Sequence, residues 1–496
     1  MNLETLLIRI DMRWLMTYVV MLYHGFMSYA SFTTNLKNFI NINSGVCAMQ
    51  TSPASLNRLT YWLCLVCCLL FFSFKAQAVP SFARQTGYSC AQCHTQSFGP
   101  NLTPLGRDFK LNGYTEGEAE NLIPGLSAMV EGSLTHTQKE VQQIDKAGYS
   151  TNNNFTFDQA SLFYAGRLTK QVGVFSQLTY DGVADSVALD NTDVRFARNT
   201  DIGDYQVHYG ISLNNNPTVQ DLWNTTPAWG YPYNGSAVQP SIGAMPIIDG
   251  GFGPSQVGGG SFYTLIENML YFEGGAYSSI GRSVQNGLGA FDPAQNEIDG
   301  AAPYWRFGIQ KNWKGHYVQL GHYGMAAQVF PERDKSTGLT DSYTDYAVDA
   351  NYQYMGNTKH IFEFKTAYIY EDQNLAAQRA IGGSGWGTQG RTYLTSYKLN
   401  SMYTYDQTYG ITFGYNRITG SQSTDLYGDG YTNNRPNSAY FTAELVYVPF
   451  GKSNSQLGSL LNLRTSLQYI GYSRFNGDTT HSQDNNTFLV NGWLAF

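Results

Sequence analysis

Along most of the chain, apolar and polar residues alternate with a period of two. From Tyr205 to Leu213 the odd positions are apolar or aromatic and the even positions are polar or glycine, and similar runs lie at 346–354, 362–370 and 409–416. A period of two places successive side chains on opposite faces of a β-strand. Residues 125–496 are therefore predicted to form half-buried strands with one aromatic face and one polar face.

The connections between these runs alternate between short and long. Short turns on one rim and long loops on the other are typical of outer-membrane barrels, whereas a soluble sandwich does not require that asymmetry. Tyr also clusters at strand ends, as the aromatic girdles of a membrane interface do. Five tight turns lie near 169–173, 201–204, 312–315, 355–358 and 405–408, and the largest loop runs from about Asn214 to Gly260.

The strand number follows from closure of the sheet. Every backbone polar group must be paired in lipid, so a spanning sheet has to close. The pattern reveals fifteen strands, but a closed barrel with both ends on one rim needs an even number, so we predict sixteen. The missing strand is expected between Asp204 and Asn312, either in a hairpin within Ser261–Ile280 or in the loop before it. The last strand ends on Phe496 and resembles the signal read by the bacterial outer-membrane assembly machinery.

The composition agrees with a barrel and restricts its partners. Charged residues make up 14%, against roughly 25% in typical globular domains, while 37 Tyr contribute to an aromatic content of 15%. A net charge of −7 without long Lys/Arg runs argues against nucleic acid as a partner. The partner expected for the aromatic face is outer-membrane lipid.

The N-terminal region predicts export. Met49 to Ala78 contains Arg58, then an apolar run, then an Ala-Gln-Ala site, which together are typical of a cleaved secretory signal peptide. Residues 1–48 are interpreted as an over-extended start, although Trp14–Phe32 is apolar enough to be an inner-membrane anchor. Export then leaves a small module at 79–124 and the barrel at 125–496. Four of the six cysteines leave with the leader, so disulfide scaffolding is nearly excluded.

The two remaining cysteines form a Cys-x-x-Cys-His motif: Cys90, Cys93 and His94. This is the attachment pattern of a c-type haem, in which the thiols bond to the vinyl groups and the histidine ligates the iron. A structural zinc site would need two more ligands, and a thioredoxin-like site would need a βαβ context that the sequence does not offer. We therefore expect one covalently bound haem c, with His94 as its catalytic ligand.

Other residues are weaker candidates for haem contacts. Arg84, Arg107 and Lys110 have the charge to meet the propionates, with surface solvation as the alternative. Neither Met nor a second His occurs between residues 95 and 124, so a second iron ligand would come from the barrel. Met129 is the first candidate, because it is in phase with Glu131 and should face the lumen; ordinary packing is the alternative. A haem held in this way would plug the pore.

The motif's surroundings carry a family resemblance. The segment VPSFARQTGYSCAQCHTQSFGPNLTPLGRDFKLNGY, residues 79–114, resembles the start of the fused monohaem cytochrome c–porin family of bacterial outer-membrane iron(II) oxidases. Leu105 stands where that family more often has Phe, and the loop 214–233 resembles the family more loosely. The resemblance implies a sixteen-stranded barrel in which extracellular Fe(II) reduces the haem. It further implies that electrons pass to periplasmic carriers such as soluble c-type cytochromes.

The sequence thus predicts an oxidoreductase in the bacterial outer membrane that conducts electrons from Fe(II). One alternative is a diffusion porin in which the haem module is only a gate or sensor. Another is the same conduit serving a different extracellular donor or acceptor, because one haem does not identify its partner.

Overall fold

The computed structural model describes residues 81–117, 125–140, 148–382, 391–452, 454–455 and 461–496. All of these lie within one compact unit, residues 75–496. The predicted start region and signal peptide lie outside the described residues, as do 79–80 and 118–124 of the predicted haem module. No helix in the described ranges is long and apolar enough to cross a membrane.

The described residues form mainly antiparallel strands with a few short helices. The helices are α1 (Ser81–Thr86), α2 (Cys90–Cys93), α3 (Pro104–Leu111), α4 (Arg282–Gly287) and α5 (Ala376–Gly382). The strands are β1 (Leu126–Thr137), β2 (Asn154–Arg167), β3 (Val172–Asp181), β4 (Ser186–Ile202), β5 (Tyr205–Asn214), β6 (Val257–Ile266), β7 (Leu270–Ser279), β8 (Glu297–Ile298), β9 (Ala302–Trp313), β10 (His316–Phe330), β11 (Asp341–Tyr354), β12 (His360–Asn374), β13 (Arg391–Tyr405), β14 (Tyr409–Gly420), β15 (Ser438–Tyr447), β16 (Asn462–Arg474) and β17 (Thr487–Ala495).

These strands close into a barrel. Each strand pairs antiparallel with its neighbour, and β1 pairs with both β2 and β17, where Glu131 lies opposite Trp493. The two-residue β8 only extends the wall beside β10, so sixteen strands cross. The prediction of a closed sixteen-stranded barrel is confirmed.

The missing strand belongs to a hairpin. β6 and β7 pair from Val257–Ser279 to Ile266–Leu270, with a tight turn at 267–269. The hairpin prediction is therefore right, although the hairpin begins four residues earlier than Ser261. The five predicted tight turns each join two consecutive strands, on the same rim as the start of β1 and the end of β17.

The distribution of side chains is inverted relative to a soluble protein. On β5, Ile211 and Leu213 are 45% and 57% exposed, whereas Ser212 between them is fully buried. Large apolar residues face outward around the wall, while polar residues, including the buried Arg195 and Arg306, face the lumen. An apolar exterior on a closed barrel is stable only in a bilayer. The chain is a bacterial outer-membrane barrel.

The loop 215–256, between β5 and β6, folds into the lumen. Its Trp223 is 1% exposed, and its Asp221 lies 3.2 Å from a guanidinium nitrogen of Arg306 on β9. Further along the loop, the backbone N–H of Ile248 donates to Asp345 on β11 at 2.8 Å. The loop therefore fills one side of the lumen and shapes the space left beside it.

Candidate functional site

The segment that carries the Cys-x-x-Cys-His motif lies inside the barrel. Thr95 donates to Glu363 on β12 at 2.7 Å, and Gln96 donates to Thr412 on β14 at 3.0 Å. On another side, Tyr263 of β6 donates to the carbonyl of Leu111 at 2.7 Å. Because these contacts reach well-separated strands, residues 81–117 occupy the lumen as a plug.

The motif itself is one helical turn. α2 spans Cys90–Cys93, and the backbone N–H of His94 donates to the carbonyl of Cys90 at 2.8 Å. Residues three apart on a helix share a face, so the two cysteines are neighbours. Neither is in a disulfide, and burial raises the pKa of Cys93 to about 12, with further contributions from Cys90 and Glu116. Burial raises the pKa of Cys90 as well, so both side chains are thiols at neutral pH.

His94 is oriented by a single backbone partner. Its Nδ1 lies 3.0 Å from the carbonyl oxygen of Asn101, and because a carbonyl only accepts, Nδ1 carries the proton. Burial lowers the pKa of His94 to about 4, so the imidazole is neutral at neutral pH. This leaves Nε2 with a lone pair, which is the arrangement that metal-ligating histidines share.

Helix α3 packs directly against the motif. Thr103, its N-cap, donates its backbone N–H to the carbonyl of Cys93 at 2.9 Å and accepts from the N–H of Gly106. A Cβ at Gly106 would overlap the carbonyl oxygen of Cys93, so this close approach needs glycine. The contact fixes α3 over the motif and explains why a glycine follows Leu105.

The motif opens onto a cavity of about 430 Å³, within the usual range for ligand sites. Cys90, Cys93 and His94 all line it, and so does Met129 from β1. A c-type haem needs two neighbouring thiols, a neutral imidazole and a largely apolar enclosure, and this lining fits all three needs. The apolar walls are Phe82, Phe98, Leu102, Phe109, Phe163, Phe175, Trp229 and Trp493.

Met129 faces the lumen, as its phase with Glu131 predicts. It is 5% exposed, and its sulfur accepts a hydrogen bond from the indole Nε1 of Trp493 at 3.0 Å. Among the described residues that line the cavity it is the only methionine, and His94 is the only histidine. Met129 therefore lies at the cavity, as an iron ligand would have to, and its role as a ligand stays a prediction.

Of the three basic candidates, the two arginines lie away from the cavity. Arg84 donates to the carbonyl of Leu126, and Arg107 donates to the Leu102 carbonyl at 2.8 Å and to Gln353 at 3.0 Å. Neither arginine lines the cavity, so their propionate role stays a prediction without support from their positions. Lys110 does line it, but its Nζ donates to two carbonyl oxygens of the loop 215–256.

Sequence reasoning missed Asn101 and Trp493. Asn101 acts through its backbone carbonyl, which no side-chain pattern reveals. Trp493 lies 364 residues from Met129 in the chain and reaches it only because β1 pairs with β17. The polar side of the cavity, with Glu131, Gln159 and Asp190, also comes from three separate strands.

No protein-family model and no curated protein sequence matches the chain. Among solved structures it is similar to OprB of Pseudomonas putida, with 14% identity, a TM-score of 0.44, and 75% of this chain and 94% of that chain covered. It is also similar to OmpF of Salmonella typhi, with 12% identity, a TM-score of 0.42, and 75% and 97% covered. An anion-selective porin of Comamonas acidovorans has 13% identity, a TM-score of 0.40, and 75% and 98% covered. Because these identities and TM-scores are low, the assignment of the barrel fold rests on the strand pairing of this chain itself.

Proposed function

We propose that the chain is an outer-membrane c-type cytochrome fused to a porin-like barrel, and that it takes electrons from extracellular Fe(II) and passes them to periplasmic carriers such as soluble c-type cytochromes. The observation that carries the proposal is that Cys90, Cys93 and His94 line one largely apolar cavity inside the barrel. A chance Cys-x-x-Cys-His on a surface would have no such enclosure. The chain's redox chemistry would reside at this cavity.

The residues divide the work of holding the group. Cys90 and Cys93 would each form a thioether, which fixes the cofactor to α2 for the life of the protein. His94 would offer Nε2 to the iron while the Asn101 carbonyl keeps its ring in place. Met129, which lines the same cavity, would offer its sulfur to the iron. A bound haem c supplies a reversible one-electron couple, which an otherwise insulating lipid layer lacks.

The choice of Fe(II) as electron donor rests on the sequence resemblance. Fe(III) precipitates at neutral pH, so oxidation at the outer face would keep mineral out of the periplasm. Two carboxylates of the lumen are already paired with arginines: Asp349 lies 2.8 Å from Arg306, and Glu444 lies 2.8 Å from Arg464. The donor is therefore the part of the proposal that experiment has to establish first.

The decisive experiment uses the purified full-length protein in detergent, oxidised and free of oxygen. Haem content is measured first, and Fe(II) at neutral pH is then added while the haem absorbance bands are followed. We expect one covalent haem per chain and its reduction by Fe(II). The variant His94→Ala should lose this reduction, whereas His136→Ala, at an exposed histidine, should retain it. An oxidised haem that Fe(II) leaves unchanged would contradict iron oxidation.

A diffusion porin with a haem gate is the second candidate, and the sixteen-stranded, porin-like barrel favours it. Against it, the plug and the loop 215–256 both occupy the lumen, and Trp223 at their junction is buried. Single-channel recordings in planar bilayers separate the two functions. We expect little conductance; a large ohmic conductance that haem oxidation state changes would favour the gated porin.

A further inference from the structure

Two side chains on neighbouring strands meet at the edge of the cavity. Met129 of β1 lies opposite Ala495 of β17, two residues from Trp493, and both Met129 and Trp493 line the cavity. The indole Nε1 of Trp493 donates to the Met129 sulfur at 3.0 Å. A thioether sulfur has two lone pairs, so one is held by the indole and the other is left for a second partner.

The indole is fixed in turn by the plug. The ring of Trp493 packs edge-to-face against Phe98, with the ring centroids 4.7 Å apart. Phe98 is 5% exposed and follows His94 by only four residues, so the segment that carries the histidine also presses on the tryptophan. Val446, Val448 and Ala495 complete this apolar cluster. The positions of His94 and Met129 are thereby linked through a packed contact.

We propose that Trp493 is a positioning residue that would orient the Met129 thioether as a second iron ligand beside His94, an inference that rests on the haem proposed above. The two proposed ligands, His94 and Met129, are then oriented in the same way. A backbone carbonyl holds the non-ligating nitrogen of His94, and an indole N–H holds the non-ligating lone pair of Met129. Such outer partners set both the orientation and the electron-donating strength of a ligand.

The hydrogen bond has a measurable consequence. A donor on the sulfur withdraws electron density from the thioether, which disfavours ferric iron and raises the reduction potential, in the same direction as methionine ligation itself. The bond also holds the sulfur in the orientation in which it would ligate the iron, and an external ligand competes against that orientation. Because one hydrogen bond contributes about 1 kcal/mol, its loss should make displacement by imidazole roughly five- to tenfold easier.

The first test is Met129→Leu, compared with Met325→Leu, which changes a fully buried methionine of the barrel core away from the cavity. Both substitutions nearly conserve volume, so both proteins should fold. We expect Met129→Leu to lose the far-red absorbance band of thioether-ligated ferric haem and to lower the reduction potential. Met325→Leu should keep both properties. An unchanged band and potential in Met129→Leu would overturn the inference.

The second test is Trp493→Phe, which keeps an aromatic ring against Phe98 but removes the N–H. Its matched control is Trp305→Phe, which loses an indole hydrogen bond to His322 at 3.1 Å, away from the cavity. We expect only Trp493→Phe to lower the reduction potential, while retaining the thioether band, and to bind imidazole roughly five- to tenfold more tightly. Equal behaviour of the two variants would overturn the positioning role.

These outcomes are distinguishable from failure of the proposed function. A full-length protein that carries no covalent haem contradicts the cytochrome itself. If the protein carries haem, but neither Met129→Leu nor Trp493→Phe changes its spectrum or reduction potential, only this inference is contradicted. The proposal of a cytochrome is then unaffected.

Discussion

The two sides of the barrel lumen are filled in different ways. On the side of β9 to β12, the loop 215–256 packs against the wall, and Arg306 lies between the carboxylates of Asp221 and Asp349 at 3.2 and 2.8 Å. On the side of β1, β2 and β17, aromatic rings and the thiol, imidazole and thioether groups surround a cavity of about 430 Å³. One side is closed by buried charge pairs, and the other leaves a largely apolar cavity.

This difference in how the lumen is filled distinguishes a ligand-binding site from a diffusion pore. A diffusion channel keeps its lumen polar and wet along its whole length. Here Arg306 and its two carboxylate partners hold a loop in place on one side, while the cavity wall beside the Cys-x-x-Cys-His motif is largely apolar. The cavity is therefore an enclosed site, and variants on each side of the lumen can separate its role from that of the loop.

The largest expected effect is on the cavity side. The double variant Cys90→Ala/Cys93→Ala should lose the proposed covalent haem completely, because no other described cysteine lies at the cavity. Haem retained through denaturing electrophoresis measures this. Gln92→Ala, which changes only a spacer of the motif, should keep its haem; haem retained by the double variant would refute attachment at this motif.

The sealed side is tested by Arg306→Ala. Removing this fully buried cation leaves Asp221 and Asp349 without their partner and should cost about 3–5 kcal/mol of unfolding free energy. Denaturant unfolding in lipid vesicles, followed by electrophoretic mobility, gives the value. The matched variant Arg391→Ala breaks an exposed pair with Asp372 and should change little. Equal losses in the two variants would show that burial does not set the strength of the seal.

Gly106→Ala tests the contact between α3 and the motif. Its Cβ would overlap the Cys93 carbonyl, so we expect partial loss of covalent haem with the barrel still folded. At Gly274 a Cβ meets nothing within 4 Å, so Gly274→Ala is the control for a glycine change alone. Haem-to-protein ratio after purification is the measurement, and full incorporation in Gly106→Ala would show that the plug adjusts freely.

The smallest effect concerns Lys110, which joins the two sides by lining the cavity and donating to the loop carbonyls of Val219 and Asp221. Burial lowers its pKa from 10.5 to about 7, although the nearby carboxylates of Asp193 and Asp221 act in the opposite direction. Between these values the unfolded chain holds a proton that the folded chain has released. The unfolding free energy should therefore rise with pH from about 7 towards 10.5.

Denaturant unfolding at several pH values checks this slope. Lys110→Met should flatten it, whereas Lys335→Met, at an exposed lysine, should leave it as in the parent protein. Identical slopes in the parent protein and Lys110→Met would indicate that Lys110 stays charged when buried.

Much of the wall was predictable because its alternation is a local property. The runs at 346–354 and 409–416 place their side chains on the predicted faces, with Val348 and Ile411 outward and Asp349 and Thr412 inward. A strand escaped detection in this region because three of the first four residues of β6 are glycines, Gly258 to Gly260, which carry no side chain to show a period. Hydrophobic pattern finds a strand only where side chains report its faces.

The candidate site also has one part that local sequence predicts and another part that it does not. The spacing of Cys90, Cys93 and His94 determines a single helical turn, so the sequence by itself fixes two thiols and an imidazole close together. The phase of β1 likewise determines that Met129 faces inward. These features depend only on residues near one another in the chain.

The tertiary structure decided what the motif faces. Met129 and Trp493 become neighbours because β17 pairs back onto β1, and Arg107 turns to Gln353 on β11 instead of the cavity. Which residues become neighbours depends on the closure and register of the whole sheet. The alternation within one strand determines only that its polar face points into the lumen, not which other strand lies beside it. The sequence determined the chemistry of the Cys-x-x-Cys-His motif, and barrel closure determined its surroundings.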